Sequence, residues 1–476
     1  MSVADERIER LERQVEKLLA RVEAQAAEIA VLKAENAALK TENAELKRRL
    51  GQNSSNSNKP PSSDSPADRD ERQDKKLGSG RAPGGQPGHK GKTRTLLPAS
   101  KVTNTTECFP ETCRRCNKDL APTPDASPIR HQVFEIPKDV LVDEFRLHTV
   151  TCSCGATTCA ALPPGTPAGL FGPRLLALIA VLTGSMHVSR RKVQLLLSDL
   201  YGIDVSLGCI SESEEVVSEA VADAVDEALV HALAARVKHV DATTWYQSGM
   251  YRSLWVLATK AVTVFHVAAN GTQQALQSWL SQVRGILVTD RGSQFGFWAM
   301  ERRQICLAHL LRKFASYATR SGRAGQLGNQ LLLWTGIVFD HWHQVRDGTL
   351  SRAKFRTRIA PVRAFIERLL EEGAGLSGIG GSCRDILAHR EALWTFIDEL
   401  GVEPTNNHAE RELRGFVMWR KLTFGSRSVR GTRFAANIKS VVSTCRKQGR
   451  PLFDYLTSAI QAALRNRRTP SLLVAA

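Results

Sequence analysis

Arg236-Val-Lys-His-Val-Asp241-Ala-Thr, followed by Ser253-Leu-Trp-Val-Leu-Ala-Thr259 and Val262-Thr-Val-Phe-His-Val-Ala268, decides the fold. Each run is short, rich in β-branched and aromatic residues and bounded by polar or small ones, the pattern of buried strands. Lys260-Ala261 is short enough to be a hairpin turn. A helical stretch over 272–280 leads to a fourth apolar run, Gly285-Ile-Leu-Val-Thr289, and 304–308 reads as a further strand. Asp241 and Asp290 close the first and fourth runs. An ionised carboxylate there is costly unless it meets solvent or a cation.

Three strands in a meander, a helix and another strand is the order of a ribonuclease-H-like core, in which the ends of the first and fourth strands lie side by side. Asp241 and Asp290 are then expected to face each other, and facing carboxylates invite Mg2+, a hard cation that prefers oxygen ligands. A third acid stands in Asn406-Asn407-His-Ala-Glu410-Arg411-Glu-Leu-Arg414. On a helix capped by Asn406 or Asn407, the apolar side is Ala409, Leu413 and Phe416, and positions 407, 410, 414 and 417 share a face. Glu410 then lies at the border between core and solvent, and pairing with Arg414 one turn on is the competing reading. The long gap from Asp290 to Glu410 holds three helical stretches, 326–340, 354–372 and 384–400, and so reads as an all-helical insertion.

Composition sets the wider frame. At 476 residues, 42% hydrophobic and 24% charged, the chain can bury a substantial core and is not a disordered protein. Its 65 Lys+Arg against 48 Asp+Glu, a formal charge of +17, point to a polyanionic partner, with nucleic acid foremost. No apolar run approaches a bilayer span and no leader opens the sequence, so no membrane partner and a cytoplasmic location are expected. Ten cysteines in such a chain read as thiols or metal ligands rather than as a disulfide framework.

Residues 5–50 read as a parallel coiled coil. Ile8, Val15, Val22, Ile29, Asn36, Asn43 and Leu50 fall at a, and Leu11, Leu18, Gln25, Leu32, Leu39 and Leu46 at d. Glu28, Glu35 and Glu42 at g can reach Lys33, Lys40 and Lys47 at e of a partner, so homo-oligomerisation is expected. Residues 51–100 form a Ser-, Pro- and Gly-rich linker, whose basic end at 81–94 either folds on DNA phosphates or is a plain tether. Residues 101–165 carry Cys113-Arg-Arg-Cys116 and, past an alternating strand-like segment at 140–150, Cys152-Ser-Cys154. Two close thiol pairs brought together across a hairpin make a four-thiolate Zn2+ site, with Cys108 and Cys159 as spare ligands. Residues 166–232 are helical: 175–182, 192–200, a break at 201–206 and a third helix from Ser206. That pattern fits a helix-turn-helix with Arg190, Arg191 and Lys192 for phosphates, and plain helical packing as well.

Together with Cys306-Leu-Ala-His309-Leu-Leu-Arg312-Lys313-Phe314 and Arg420-Lys421-Leu-Thr-Phe-Gly425-Ser426, these motifs resemble the DDE transposases of bacterial insertion sequences, specifically the insertion-sequence-66 family. The resemblance covers nearly the whole chain. It implies that Asp241, Asp290 and Glu410 are a catalytic acid triad holding two Mg2+ ions, for which Mn2+ can substitute, with Asp241 bridging them. It implies cleavage and strand transfer of double-stranded DNA at element ends and target, on the nucleoid, with accessory proteins of the same element as further partners. His309, Arg312 and Lys313 are candidates for a phosphate near the site, or an ordinary basic helix start. Arg420, Lys421, Arg427, Arg430 and Arg433, continuing to Lys439, read as a tract along the DNA backbone. Leu307 and Leu311 depart from the family pattern, which commonly has Trp and Arg there. Two readings compete: a nuclease using the same acids without strand transfer, and a catalytically inactive dimeric DNA-binding regulator.

The expected architecture is thus a multidomain α+β protein. It comprises the coiled coil, the linker, the zinc-binding module and the helical DNA-binding region, then a ribonuclease-H-like catalytic core over 233–320 and 404–466, interrupted by the helical insertion at 321–403.

Overall fold

The computed structural model describes residues 96–473 apart from 135–139, 152 and 155, together with scattered positions between 17 and 64. The described positions between 17 and 47 are helical. The heptad positions Ile8, Leu11, Val15, Leu18 and Leu50, and nearly all of the linker, lie outside the described residues.

The centre of the molecule is a five-stranded mixed sheet in the order β5-β4-β3-β6-β7. Strand β3 is Val237–Gln247, β4 Met250–Ala258, β5 Thr263–Ala268, β6 Ile286–Thr289 and β7 Arg303–Ile305. The first three form an antiparallel meander, and β6 and β7 add in parallel on the far side of β3. Ser248 (φ 52) and Gly249 (φ 78) make the β3–β4 turn, both in the left-handed region that a tight two-residue hairpin requires. The meander and the helix Gln273–Trp279 lie where the sequence places them. Within the sheet, three strand boundaries differ by three residues or more, the first being that of β4, which begins at Met250 rather than Ser253. Strand β3 continues six residues past Asp241, so the ladder that stops near this acid is that of the shorter β6. Strand β7 stops at Ile305 because the chain turns at Cys306 into the helix Leu307–Ala318.

Before the sheet come β1 (Thr149–Thr151) and β2 (Thr157–Cys159), an antiparallel pair, and four helices. The helices are α1 (Pro173–Ala180), which runs on into a π turn Val181–Ser185, α2 (Arg190–Tyr201), α3 (Leu207–Ala220) and α4 (Ala222–Ala234). Gly202, at φ 63, ends α2, and the Ser206 hydroxyl accepts from Cys209 N at 3.0 Å to open α3. Residues 140–148, expected as strand, form none: Leu141 and Val142 stand 97% and 87% exposed, with no strand beside them among the described residues for an alternating pattern to pair with.

After α5 (Gln273–Trp279) and α6 (Leu307–Ala318), the segment between sheet and third acid is helical. It consists of α7 (Gly322–Arg346), α8 (Arg352–Ala374), α9 (Gly380–Ala388) and the single turns α10 (Arg390–Leu393) and α11 (Thr395–Asp398). The third stretch is therefore broken rather than one helix; Gln304 Oε1 accepts from Phe396 N, and Gln304 Nε2 donates to Leu393 O, fastening the breaks to β7. Three helices close the fold: α12 (Asn407–Thr423), α13 (Val429–Lys447) and α14 (Leu452–Leu464).

Three apolar cores divide these elements, the smallest packing Ile179 of α1 against Val193 and Leu197 of α2 and Ile210 of α3. The largest buries Val240, Trp245, Trp255 and Phe265 of the meander with Phe416 and Trp419 of α12, Phe434 and Val441 of α13, and α1, α3 and α4. The second buries Ile286, Val288 and Ile305 of the parallel strands against α6 to α11. Trp342 and Trp394 pack within it and Trp419 within the first, as core residues. Strand β6 faces both of these larger cores, with Leu287 in the first and Ile286 and Val288 in the second.

Candidate active site

Strands β3 and β6 pair in parallel with His239 opposite Val288. The same register carried on two residues sets Asp241 opposite Asp290, on one face of the sheet, because alternation is preserved across a parallel pair. One strand further, Thr289 pairs with Ile305, so Cys306 stands beside Asp290, and its N–H donates to Thr289 O at 2.8 Å. Two carboxylates and a thiol are therefore brought side by side where β6 and β7 end beside the continuing β3.

Burial, and next the charge of Asp290, push the Asp241 carboxyl up to about 8; Glu410 adds to this, while Ala242 N–H, donating to Oδ1 at 2.8 Å, and Arg312 oppose it. Asp290 is held from behind. Its Oδ1 accepts from Gly292 N at 2.9 Å, and its backbone carbonyl accepts from the fully buried Arg303 Nη2 at 2.8 Å. Arg303 Nε also donates to Thr289 Oγ1 at 2.9 Å and its guanidinium lies over Phe295, so this arginine is a brace beneath the acid.

Glu410 arrives on the first turn of α12. Ala409, Leu413 and Phe416 are buried as the periodicity requires, and Glu410 sits at the edge of that stripe. Its carboxylate faces the first turn of α6 rather than Arg414: His309 Nδ1 lies 3.7 Å from Oε1 and Arg312 Nη2 3.7 Å from Oε2. Asn406 is the N-cap residue by position, but its side chain makes no capping bond. Instead Nδ2 donates to Val240 O at 2.9 Å, Oδ1 accepts from His239 Nδ1 at 3.1 Å, and the backbone N–H donates to Cys306 Sγ at 3.1 Å. One fully buried residue thus ties the start of α12 to the residue before Asp241 and to the residue after β7. Leu307 N donates to Pro404 O at 2.8 Å as a second tie.

Around the first turns of α12 lies a half-buried polar cluster that the sequence reading missed. His408 stacks on His239 with ring centroids 5.0 Å apart, Lys447 Nζ is 2.8 Å from His408 Nε2 and 3.2 Å from Glu412 Oε1, and Lys447 also donates to Thr259 O at 2.8 Å. Burial lowers the imidazoles to about 3 for His239 and about 4 for His408, so both are neutral near pH 7. Only the adjacent Asn-Asn-His motif hinted at it.

The basic residues divide by surroundings. His309 and Arg312 border the acids, with Lys313 next to them on α6. Burial, then Arg312, hold the His309 imidazole below its ordinary range. Arg420 is turned inward: Nη1 donates to Thr243 Oγ1 at 3.3 Å and to Thr244 O, both on β3. Lys421, in the last turn of α12, and Arg427, in the α12–α13 connection, are exposed. Arg430 donates to Glu215 Oε2 at 2.8 Å and Ser211 Oγ at 2.9 Å, and Arg433 to Glu219 Oε1 at 3.3 Å, so both bind the acidic face of α3. Lys439, which the tract was expected to include, is 4% exposed with Nζ 5.9 Å from the Trp419 ring centroid, and belongs to the core. Arg190, expected for phosphates, is bound to the buried Glu214 across α2 and α3.

Cys113 and Cys116 share a tight turn in which Cys113 N donates to Lys118 O and Asn117 N to Cys113 O, both at 2.9 Å. The N–H groups of Arg115 and Cys116 hold the Cys113 thiol below its usual range. Cys154 follows β1, and Cys152 lies outside the described residues. Among the described residues, one group of at least three His, Cys, Asp or Glu side chains converges within metal-ligand range: Cys306, His309 and Glu410, whose ligand atoms lie within 4.8 Å of one another. No helix among the described residues is long and apolar enough to cross a membrane.

The sequence over 168–434, more than half of the chain, matches the family described as Transposase IS66 family. The chain belongs to this transposase family. The match begins just before α1 and ends within α13, so it takes in all three acids, both halves of the sheet region and the helical segment between them. Residues 2–95 of this IS66-family chain match a second family, described as a family of unknown function (DUF6444). A curated relative, the "Uncharacterized protein y4qI" of Sinorhizobium fredii (strain NBRC 101917 / NGR234), is 27% identical over 161 residues. That match spans 33% of this chain and 30% of the relative.

Proposed function

We propose that this chain is a DDE transposase whose Asp241, Asp290 and Glu410 hold divalent metal and catalyse cleavage and strand transfer of double-stranded DNA. The observation that carries this reading is the register setting Asp241 opposite Asp290, with α12 tied by Asn406 so that Glu410 reaches the same cleft. The mixed strand order and the helical block before α12 fit a ribonuclease-H-like core with an insertion. An Asp241 carboxyl raised to about 8 suits a site that a cation completes, since a nearby divalent ion favours the ionised form and opposes the repulsion from Asp290.

Mg2+, or Mn2+ in its place, would supply activation of the attacking oxygen and stabilisation of the leaving oxygen in an in-line displacement. Asp241 and Asp290 act as the rigid ligands, being fixed by β3 and by the Arg303 brace. Glu410 is the adjustable one, on a helix turn facing Arg312. His309, Arg312 and Lys313 are positioned to receive a phosphate beside the acids, and Lys421 and Arg427 to meet the DNA backbone further along. The exposed seam residues Val22, Ile29, Leu32, Leu39 and Leu46 support a homo-oligomeric coiled coil. The Cys113–Cys116 turn supports a structural Zn2+ completed by Cys152 and Cys154. Action on the nucleoid, with accessory proteins of the same element, follows from this reading.

The test is incubation of the full chain with DNA carrying the element's terminal repeats and Mg2+. Joined products are expected, and Glu410→Gln is expected to abolish them. Nicks without joined products would instead favour the nuclease, and unchanged processing by Glu410→Gln would sink the triad assignment.

A further inference from the structure

We propose that Cys306, His309 and Glu410 form a binding site for a thiophilic divalent ion of the Zn2+ class on the flank of the acid cleft. Glu410 is the ligand common to both. The donor set is one sulfur, one imidazole nitrogen and one carboxylate oxygen, the mixture that Zn2+ prefers and Mg2+ does not. Three protein ligands leave a fourth position for water or another donor, as in open zinc sites. In a tetrahedral centre with metal–ligand bonds of about 2.0–2.3 Å, ligand atoms lie about 3.3–3.8 Å apart. The His309 Nδ1 to Glu410 Oε1 distance of 3.7 Å already meets that spacing, and the full set within 4.8 Å needs only small side-chain rotations.

The unmet polar groups point the same way. His309 Nδ1 and Glu410 Oε1 are both buried without a hydrogen-bond partner and face each other beyond hydrogen-bonding distance. Leaving such atoms unpaired is costly, and a single ion between them satisfies both. Cys306 Sγ accepts from Asn406 N–H at 3.1 Å; burial pushes the thiol up to about 11, which the N–H groups of Asn406, His309 and Ala308 only partly oppose, so the ion must displace its proton. Binding forms the sulfur–metal bond and releases the S–H proton to solvent, so no redox partner is involved. The ligands come from the β7–α6 junction and the first turns of α6 and α12, which Asn406 and the Leu307–Pro404 bond hold together. Arg312 lies on Oε2 and leaves Oε1 to the ion.

Binding does not rest on the transposase reading, whereas competition with Mg2+ through Glu410 does. The full chain is dialysed against Zn2+, bound zinc is counted per chain, and Co2+ is titrated while thiolate-to-cobalt absorption is followed. His309→Ala and Cys306→Ser, each checked for native circular dichroism, are expected to lose one equivalent and part of the band, with at least tenfold weaker binding of the last ion. Counting the difference keeps zinc elsewhere on the chain out of the result. His309→Ala with unchanged stoichiometry and spectrum overturns the site, and it decides the matter if Cys306→Ser does not fold. Glu410→Gln is expected to lose the ion too. If that variant loses the cobalt band but processes DNA normally, the triad reading fails and the soft-metal site stands.

Discussion

Asp241 carries the clearest residue-scale consequence. Its folded carboxyl titrates near 8 whereas an unfolded chain ionises near the ordinary 3.8. Between these values the native state keeps a proton that the unfolded state has released, so metal-free stability is expected to fall as pH rises through this window. Asp241→Asn removes the repulsion, and its melting temperature should be higher than wild type at pH 8 with a flatter pH profile. Thermal melts from pH 4 to 8 without metal check this, and an equal slope in both proteins would contradict it. Gly425 is the second case. It sits at φ 97, and a Cβ there would lie 2.1 Å from Tyr246 O, where Ser426 N–H donates at 2.9 Å and closes a parallel bridge to β3. Gly425→Ala is expected to cost roughly 1–3 kcal/mol, read as a lower urea midpoint. The Gly-Ser motif was visible in the sequence, but its reason, a backbone contact with a distant strand, was not.

At the scale of elements, α12 is the part whose position matters most. Its own residues specify that it is a helix and which face is buried, but the direction in which Glu410 points depends on Asn406. Asn406→Ala leaves Val240 O and the His239 imidazole without their partner in a dry setting, at roughly 1–3 kcal/mol per group. It is expected to lower the rate of DNA cleavage far more than DNA affinity, as measured by single-turnover kinetics beside a binding titration. Equal losses in both would mean that Asn406 acts only through overall stability. The basic tract after Glu410 illustrates the opposite limit of sequence reading. Arg420, Arg430, Arg433 and Lys439 look alike in a string, yet three of them meet β3 or the acidic face of α3 and the fourth is in the core, leaving Lys421 and Arg427 outward. Charge neutralisation of Lys421 and Arg427 together is expected to weaken DNA binding and to reduce its salt dependence. Loss of Arg430 should instead appear in thermal stability.

For the whole molecule, the seam from Val22 to Leu46 presents an apolar stripe with about half of each side chain exposed on a single chain. Removing residues 1–50 is expected to lower the solution mass by at least one association step in light scattering, and an unchanged oligomer would place association elsewhere. The heptads, the order of strands and the apolar face of α12 were determined by the sequence alone, because periodicity and strand runs are local properties that side-chain burial imposes directly. The pairing of Asp241 with Asp290 followed from strand order. Only the tertiary structure decided that β3 runs past its acid, that Asn406 braces two strands instead of capping its helix, and that Cys306 and His309 converge on Glu410. These depend on contacts between residues far apart in the chain, and hydrogen-bond partners at such range leave no periodic mark in the sequence.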